Sequence, residues 1–281
     1  MKTHLNISGN MEIHEKDGVI WLTFPELDKS GVVTHLFSTR FRGVSEGCLS
    51  SMNLSYTRGD KKENVDENFR RIADVMGRDV SQIVLTYQTH TTNVRYVGRE
   101  DGGKGILKER DYTDVDGFVT DQPGITLGAF FADCVPLYFV DPVRKAIGLC
   151  HSGWRGTVGM IGKEVVLKMQ TLFGSDPDDI LAAVGPSICQ NCYEVSEDVA
   201  EQFTETFGLR ENDPMLLPRG GGKYLLDLWE ANRRVLLRAG IREDHISVAQ
   251  ICTCCHPDIL FSHRASQGKR GNLGAFLSLN G

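Results

Sequence analysis

Short apolar runs bounded by turn residues recur along most of this chain, and they alternate with stretches of helical period. Runs of continuous or period-two apolar character predict β-strands. The predicted strands are 83–86, 115–120, 125–130, 137–140, 146–150, 180–184 and 246–251. Strands and helices that interleave in this way indicate a layered fold of the α/β or α+β class, in which helices flank a mixed β-sheet.

Three segments carry the signals of amphipathic helices. Residues 64–76 have an apolar stripe of Val65, Phe69 and Ile72 and end before Gly77. Residues 157–173 end in the same way before a glycine, as helices with a left-handed last residue do. Residues 228–239 follow Asp227, with Glu230 three positions later, which resembles a capping box.

No repeat, low-complexity tract or Pro-rich linker divides the 281 residues. We therefore predict one domain over residues 1–281, with residues 1–30 as an N-terminal extension packing on it. The glycine-rich stretch 219–222 is predicted to be a surface loop.

Charge and hydropathy limit the possible partners. The formal net charge is −6 and the Lys and Arg residues do not cluster, which disfavours a nucleic-acid surface. The N-terminus lacks the apolar core of a signal peptide, and the most apolar stretch, 125–140, is interrupted by Asp133 and Pro136. We expect a cytoplasmic protein without membrane contact, a monomer or homodimer, that binds a small ligand.

The stretch LCHSGWRGTVG, residues 149–159, joins a predicted strand to a predicted helix. The strand would deliver His151 to its carboxyl end, an edge where α/β sheets bind ligands. The glycines, the helix N-terminus near Thr157 and the guanidinium of Arg155 would suit a phosphate or a carboxylate. The same residues also fit a tight turn with a surface arginine and a packed tryptophan.

Two other segments offer metal ligands. His90 follows a strand in LTYQTHTTNV, and Asp133 with Cys134 interrupts the apolar segment AFFADCVPLYFV. One thiolate and two imidazoles suit zinc, and three protein ligands leave a fourth position open, as in catalytic sites. The wide spacing of His90, Cys134 and His151 does not establish the site by itself.

The remaining cysteines offer weaker patterns. Cys252, Cys254, Cys255 and His256 lie too close in sequence to surround one tetrahedral ion, and Cys189 and Cys192 form a single Cys-x-x-Cys pair. These patterns disfavour a second metal at either segment, but the sequence leaves the question open.

Several motifs together resemble one known family, from about Phe37 to the C-terminus. They are FSTR (37–40), GVSEGCLSSMNLS (43–55), YQTH (87–90), DVDGFVT (114–120), ADC (132–134), HSGWRGT (151–157), GPSICQNCYEV (185–195) and LFSHR (260–264). The chain is similar to the bacterial family once labelled multicopper polyphenol oxidases or laccase-domain proteins. Its members are now described as zinc-dependent purine nucleoside phosphorylases with adenosine deaminase activity.

The resemblance implies roles for particular residues of this chain. The metal ligands fall on His90, Cys134 and His151, and Arg40, Asn53 and Arg264 fall in motifs that would hold phosphate and ribose. Asp133 would be a polar neighbour of the metal that manages a proton in deamination, and we expect Arg155 to grip phosphate.

Two departures from the family pattern concern the edge of the cleft. Relatives typically carry Gly-Arg where this chain reads Gly271-Asn272, and Gly-Gly where it reads Arg42-Gly43. Both departures would affect the substrate range.

The expected activity is cleavage of adenosine, inosine and methylthioadenosine by phosphate, giving free base and ribose 1-phosphate, with adenosine deamination at the zinc site. A cysteine hydrolase that uses Cys134 as nucleophile and His151 as base is the alternative. A copper polyphenol oxidase is disfavoured, because the chain has only eight histidines, of which His4 and His14 lie in a polar N-terminal tail. A module that only binds ligand is the remaining possibility.

Overall fold

The computed structural model describes residue 7 and residues 9–281, and strands are its commonest elements. The described strands are β1 (Glu12–Lys16), β2 (Val19–Thr23), β3 (Val33–Ser38), β4 (Ile83–Leu85), β5 (Val94–Tyr96), β6 (Gly117–Thr120), β7 (Thr126–Phe131), β8 (Val135–Asp141), β9 (Ala146–Ser152), β10 (Leu181–Val184), β11 (Glu194–Ser196), β12 (Leu216–Gly220), β13 (Lys223–Leu226), β14 (Ile246–Val248) and β15 (Leu273–Leu279). Each predicted strand corresponds to one of these.

The described helices are α1 (Pro25–Lys29), α2 (Lys62–Met76), α3 (Trp154–Val158), α4 (Ile161–Phe173), α5 (Glu197–Phe207) and α6 (Leu228–Arg238). Helix α2 ends at Gly77 in the left-handed conformation, as predicted. Helix α6 begins after Asp227, whose side chain accepts a hydrogen bond from the backbone N–H of Glu230.

The strands form two six-stranded mixed sheets and one small antiparallel sheet. The first sheet has the order β1-β2-β3-β15-β7-β4, the second β14-β10-β8-β9-β6-β5, and the third β11-β13-β12. Parallel pairs occur between β4 and β7, β5 and β6, and β10 and β14. The glycines 220–222 form the exposed tip of the β12–β13 hairpin.

Three apolar clusters lie between the layers of this single domain and pack them together. One cluster contains residues of both large sheets, such as Phe37, Leu127 and Leu149, and so lies between them. A second lies between the β8–β9 sheet and helices α4 to α6, and a third lies between the β3–β7 sheet and α2. The predicted layered α+β fold flanked by helices is confirmed, but two large sheets stand where one was expected.

Residues 12–23, near the N-terminus, belong to the first sheet. Strands β1 and β2 form an antiparallel hairpin, and Trp21 and Leu22 of β2 pair with Ser38 and Phe37 of β3. His14, expected in a polar tail, lies in β1 and contacts Thr23 through its ring. His4 lies outside the described residues.

The predicted helix over 157–173 is two helices separated by a left-handed residue. Met160 has a φ of 62°, and a Cβ on the preceding Gly159 would meet the side chain of Thr92 at 2.6 Å. Strand β9 also continues to Ser152, so His151 lies within the strand, opposite Pro136 of β8, and not beyond its end.

None of the described helices combines the length and apolar character needed to cross a bilayer.

Candidate metal centre and adjoining cavity

The structure brings together the three side chains predicted to bind metal. One donor atom each of His90, Cys134 and His151 lies within 4.8 Å of the others. The two imidazole rings are 4.9 Å apart between centroids and nearly perpendicular, at 83°. His151 is buried, Cys134 is half-buried and His90 is exposed, so one side of the cluster is open to solvent.

Local backbone conformation places each donor. Strand β9 carries His151, and Cys134 immediately precedes β8 after a turn in which Asp133 has a φ of 87°. His90 has a φ of 67° in the loop after β4. Gln88 fixes the start of that loop, because its amide both donates to and accepts from the backbone of Phe130 at 2.8 Å.

Asp116, which immediately precedes β6, links two of the donors and has no exposed surface. Its Oδ1 lies 2.8 Å from Nδ1 of His151, and its carboxylate accepts the backbone N–H groups of Thr89, His90 and Thr91. Because a carboxylate only accepts, Nδ1 of His151 carries the proton and Nε2 keeps its lone pair for a metal. Asp116 belongs to the motif DVDGFVT, but its sequence gave no sign of this role.

The space beside the donors is kept free by Gly153. A Cβ at this position would lie 3.0 Å from the His90 ring and 3.2 Å from the sulfur of Cys134. A buried network in which Ser152, Thr157 and Asn232 share hydrogen bonds holds the turn that contains the glycine. Together with the donor set, this gap fits a bound metal ion.

Electrostatics favour a charged pair at Cys134 and His151. Burial alone would raise the pKa of Cys134, but His151 and His90 together outweigh it and lower the pKa to about 6. Burial alone would lower the pKa of His151, but Cys134 and Asp116 raise it to about 9. The thiolate form that a metal requires is therefore favoured near neutral pH.

Replacing Asp116 by asparagine is expected to weaken zinc binding by about 10- to 100-fold, because the amide can donate to His151 and so favour the wrong tautomer. A competition titration of zinc against a chromophoric chelator measures this affinity. Asp114→Asn is the matched control, since Asp114 is exposed and its carboxylate accepts from the hydroxyl of Thr89 and not from a metal donor. Equal zinc affinities for the two variants would contradict the role given to Asp116.

A cavity of about 480 Å³ adjoins the metal donors. His90, Cys134 and His151 form part of its wall. The other lining residues are Ser55, Tyr56, Thr57, Arg58, Thr86, Tyr87, Gln88, Thr89, Arg110, Phe130, Phe131, Ala132, Arg270 and Asn272. A volume of this order is typical of small-molecule sites.

Three arginines, Arg58, Arg110 and Arg270, line this cavity. None of them was selected from the sequence. Burial, with the nearby charge of Arg58, lowers the pKa of Arg270 to about 10, and burial likewise lowers the pKa of Arg110. Within the described chain, Nε of Arg270 has no hydrogen-bond partner and none of the three arginines forms a salt bridge. Arg110 and Arg270 are half-buried and Arg58 is exposed, and cations that lack a counter-ion suit the binding of an anion.

Asp133 lies beside the donor cluster, but its carboxylate is engaged elsewhere. Oδ1 accepts from the hydroxyl of Thr253 and Oδ2 from the backbone N–H of Arg264, both at 2.7 Å. This arrangement suits a residue that positions two loops, and it does not support the expected role in moving a proton.

Arg155 does not line the cavity. It is exposed, and its guanidinium stacks on the ring of Trp154 at 4.3 Å. Helix α3, which was expected to present its N-terminus to an anion, has only five residues. This is the turn with a surface arginine and a packed tryptophan that the sequence left open.

The three residues expected to hold phosphate and ribose also lie outside the cavity wall. Arg40 donates to the carbonyls of Ser50 and Pro257 and stacks on Phe261. Arg264 donates to the carbonyls of Cys192 and Glu194.

Asn53 is fully buried, and its amide ties together two segments of the cavity wall. It donates to the carboxylate of Asp60 and accepts from the backbone N–H groups of Ser55 and Asn272. Asn53 thus braces the cavity wall from behind, whereas the partners of Arg40 and Arg264 lie outside that wall.

The departure at Gly271-Asn272 does not leave the cleft edge without an arginine. Arg270 lies one position earlier, lines the cavity with Asn272 and donates to its side-chain oxygen. At the other departure, Arg42 has a φ of 60° and lies outside the cavity wall.

Known proteins resemble this chain over most of its length. Residues 34–280 match the family described as multi-copper polyphenol oxidoreductase laccase. The purine nucleoside phosphorylase YlmD of Bacillus subtilis is 37% identical over 250 residues, which are 86% of this chain and 87% of that protein.

A second relative and a solved structure extend the comparison. The adenosine deaminase RL5 of an unknown prokaryotic organism is 38% identical over 81% of this chain and 87% of its own length. The crystal structure of YlmD from Geobacillus stearothermophilus superposes with a TM-score of 0.88 at 34% identity, covering 98% of this chain and all of that one. The chain therefore belongs to the family described as multi-copper polyphenol oxidoreductase laccase.

Proposed function

We propose that this protein is a purine nucleoside phosphorylase that cleaves adenosine, inosine and methylthioadenosine with phosphate. The observation that carries the proposal is a single cavity with a His2Cys donor set on one wall and three arginines around it. The name of the relative YlmD, a purine nucleoside phosphorylase, supports the same reaction.

His90, Cys134 and His151 would hold the metal, and zinc suits this mixture of imidazole and thiolate. When bound, zinc supplies Lewis acidity beside the substrate. Asp116 keeps the lone pair of His151 directed at the metal position, and Gly153 keeps that position free of side-chain atoms.

Arg58, Arg110 and Arg270 would bind the phosphate. A guanidinium makes charge-assisted hydrogen bonds to phosphate oxygens and neutralises their charge. In the reaction a phosphate oxygen forms a bond to C1′ of the ribose while the bond from C1′ to N9 breaks. The electron pair passes to the purine, which gains a proton as it departs.

The aromatic part of the wall suits the nucleoside base. Tyr87 is exposed, its ring lies 5.5 Å from the guanidinium of Arg110, and Phe130 and Phe131 follow along the same wall. Stacking on such rings buries the purine face and excludes water from C1′. Phosphate held by the arginines can then compete with water for the ribose carbon.

Adenosine deamination is the second activity that we propose for this centre, supported by the name of RL5. A cysteine hydrolase is the alternative, favoured by the low pKa of Cys134 beside His151. Metal dependence separates it from the metal-centred reactions, since a thiolate bound to zinc is a poor free nucleophile.

Incubating the protein with adenosine, with and without phosphate, tests the proposed reaction. We expect adenine and ribose 1-phosphate only when phosphate is present, with inosine formed in either case. Mass spectrometry of the products measures this. Free ribose at an equal rate without phosphate would show hydrolysis instead.

A further inference from the structure

Four thiols from two loops lie close together outside the cavity wall. They belong to Cys189 and Cys192 in the loop after β10 and to Cys252 and Cys255 in the loop after β14. All four sulfur atoms lie within 4.8 Å of one another.

Neither segment alone can surround an ion, because the ligands of one lie too close in sequence and the other offers a single pair. Cys252 and Cys255 form a second Cys-x-x-Cys pair, and the fold sets it against the first pair. Cys254 and His256, which made the segment look crowded, are not members of the cluster. Ligands from two loops can surround an ion that one short segment cannot.

We propose that Cys189, Cys192, Cys252 and Cys255 bind one zinc ion, separate from the ion at His90, Cys134 and His151. A tetrahedral zinc with sulfur ligands at about 2.3 Å places its sulfur atoms about 3.8 Å apart. The sulfur of Cys255 lies 4.0 Å from that of Cys189 and 3.5 Å from that of Cys192. Closing on an ion therefore requires only small side-chain shifts.

The backbone around the thiols is arranged for thiolate ligands. The N–H groups of Cys189 and Cys255 both donate to the sulfur of Cys252 at 3.3 Å. Such donors stabilise charge on a metal-bound sulfur. The loops are also joined directly, since the N–H of Thr253 donates to the carbonyl of Ser187 at 3.1 Å.

Other uses of four thiols fit less well. A multi-iron cluster holds its cysteine sulfurs farther apart, because the cluster itself lies between them. The sulfur of Cys255 has a close partner in each of Cys189 and Cys192, a compact arrangement rather than two separate disulfide pairs. A single ion satisfies all four at once.

Four protein ligands leave no open position, so the ion would be structural. It would fix the two loops that hold Asp133: the N–H of Ile188 donates to the Asp133 carbonyl, and Thr253 donates to its carboxylate. Asp133 in turn precedes Cys134, so this site would brace the wall behind the metal centre.

Zinc analysis of proteins purified under reducing conditions tests the proposal without using activity. We expect about two zinc ions per chain in the wild type and about one in Cys255→Ser and in Cys134→Ala. Cys254→Ser is the matched control, because this neighbouring thiol lies outside the cluster, and it should retain both ions. Equal zinc in Cys255→Ser and Cys254→Ser would overturn the proposal.

A second measurement covers the case in which Cys255→Ser fails to fold. Cobalt(II) added to metal-free Cys134→Ala should give the intense absorption of a tetrahedral ion with thiolate ligands, and zinc should abolish it. A folded Cys134→Ala protein without these bands would refute the site. Neither result depends on whether the protein cleaves nucleosides.

Discussion

Cys134→Ala is expected to lose the zinc ion of the His90, Cys134 and His151 centre and to lower nucleoside phosphorolysis by roughly three powers of ten. The expected loss in rate corresponds to the several kcal/mol that a metal contributes to transition-state stabilisation. Zinc analysis and phosphate-dependent release of adenine from adenosine measure the two effects.

Cys48→Ala is the control for this variant, because Cys48 is an exposed free cysteine. It belongs neither to the His90, Cys134 and His151 centre nor to the cluster of four cysteines. Chelation of the wild-type enzyme separates the two candidate mechanisms, since zinc should restore the activity of a metal enzyme. If the chelated protein kept full activity while alkylation of Cys134 abolished it, the cysteine hydrolase would be the correct assignment.

Arg270→Ala is expected to raise the KM for phosphate and to lower kcat/KM by roughly 10- to 100-fold. Loss of a charge-assisted hydrogen bond costs about 1.5 to 3 kcal/mol, and each 1.4 kcal/mol is a factor of ten. Arg270→Lys should recover only part of the loss, because an ammonium group lacks the planar fork of a guanidinium. Initial rates at varied phosphate concentration provide the measurement.

Arg155→Ala distinguishes two assignments of the anion site: the arginines of the cavity and the turn HSGWRGT that contains Arg155. If phosphate binds where the cavity arginines converge, Arg155→Ala should change the phosphate KM much less than Arg270→Ala does. The reverse order would favour the site expected from HSGWRGT. Arg242→Ala serves as control, since Arg242 is exposed and pairs with Asp244.

The sequence by itself determined the elements whose signals are local. Apolar runs marked five of the six strands of the second sheet and strands β4 and β7 of the first, and Gly77 and Asp227 marked where helices α2 and α6 end and begin. It also selected His90, Cys134 and His151 as candidate metal ligands, because cysteine and histidine are the residue types that typically bind zinc. Strands β1 to β3, β5, β11 to β13 and β15 and helices α1 and α5 were not predicted, since propensity alone is a weak signal for them.

Only the tertiary structure decided which distant residues share a surface. Asp116 supports His151, Arg270 faces the cavity while Arg155 stacks outside it, and Cys189 meets Cys255. Each of these facts depends on how the loops of two packed sheets meet, which no local pattern encodes. An arginine or a cysteine carries the same chemistry wherever it lies, so its role is set by the neighbours that the fold provides.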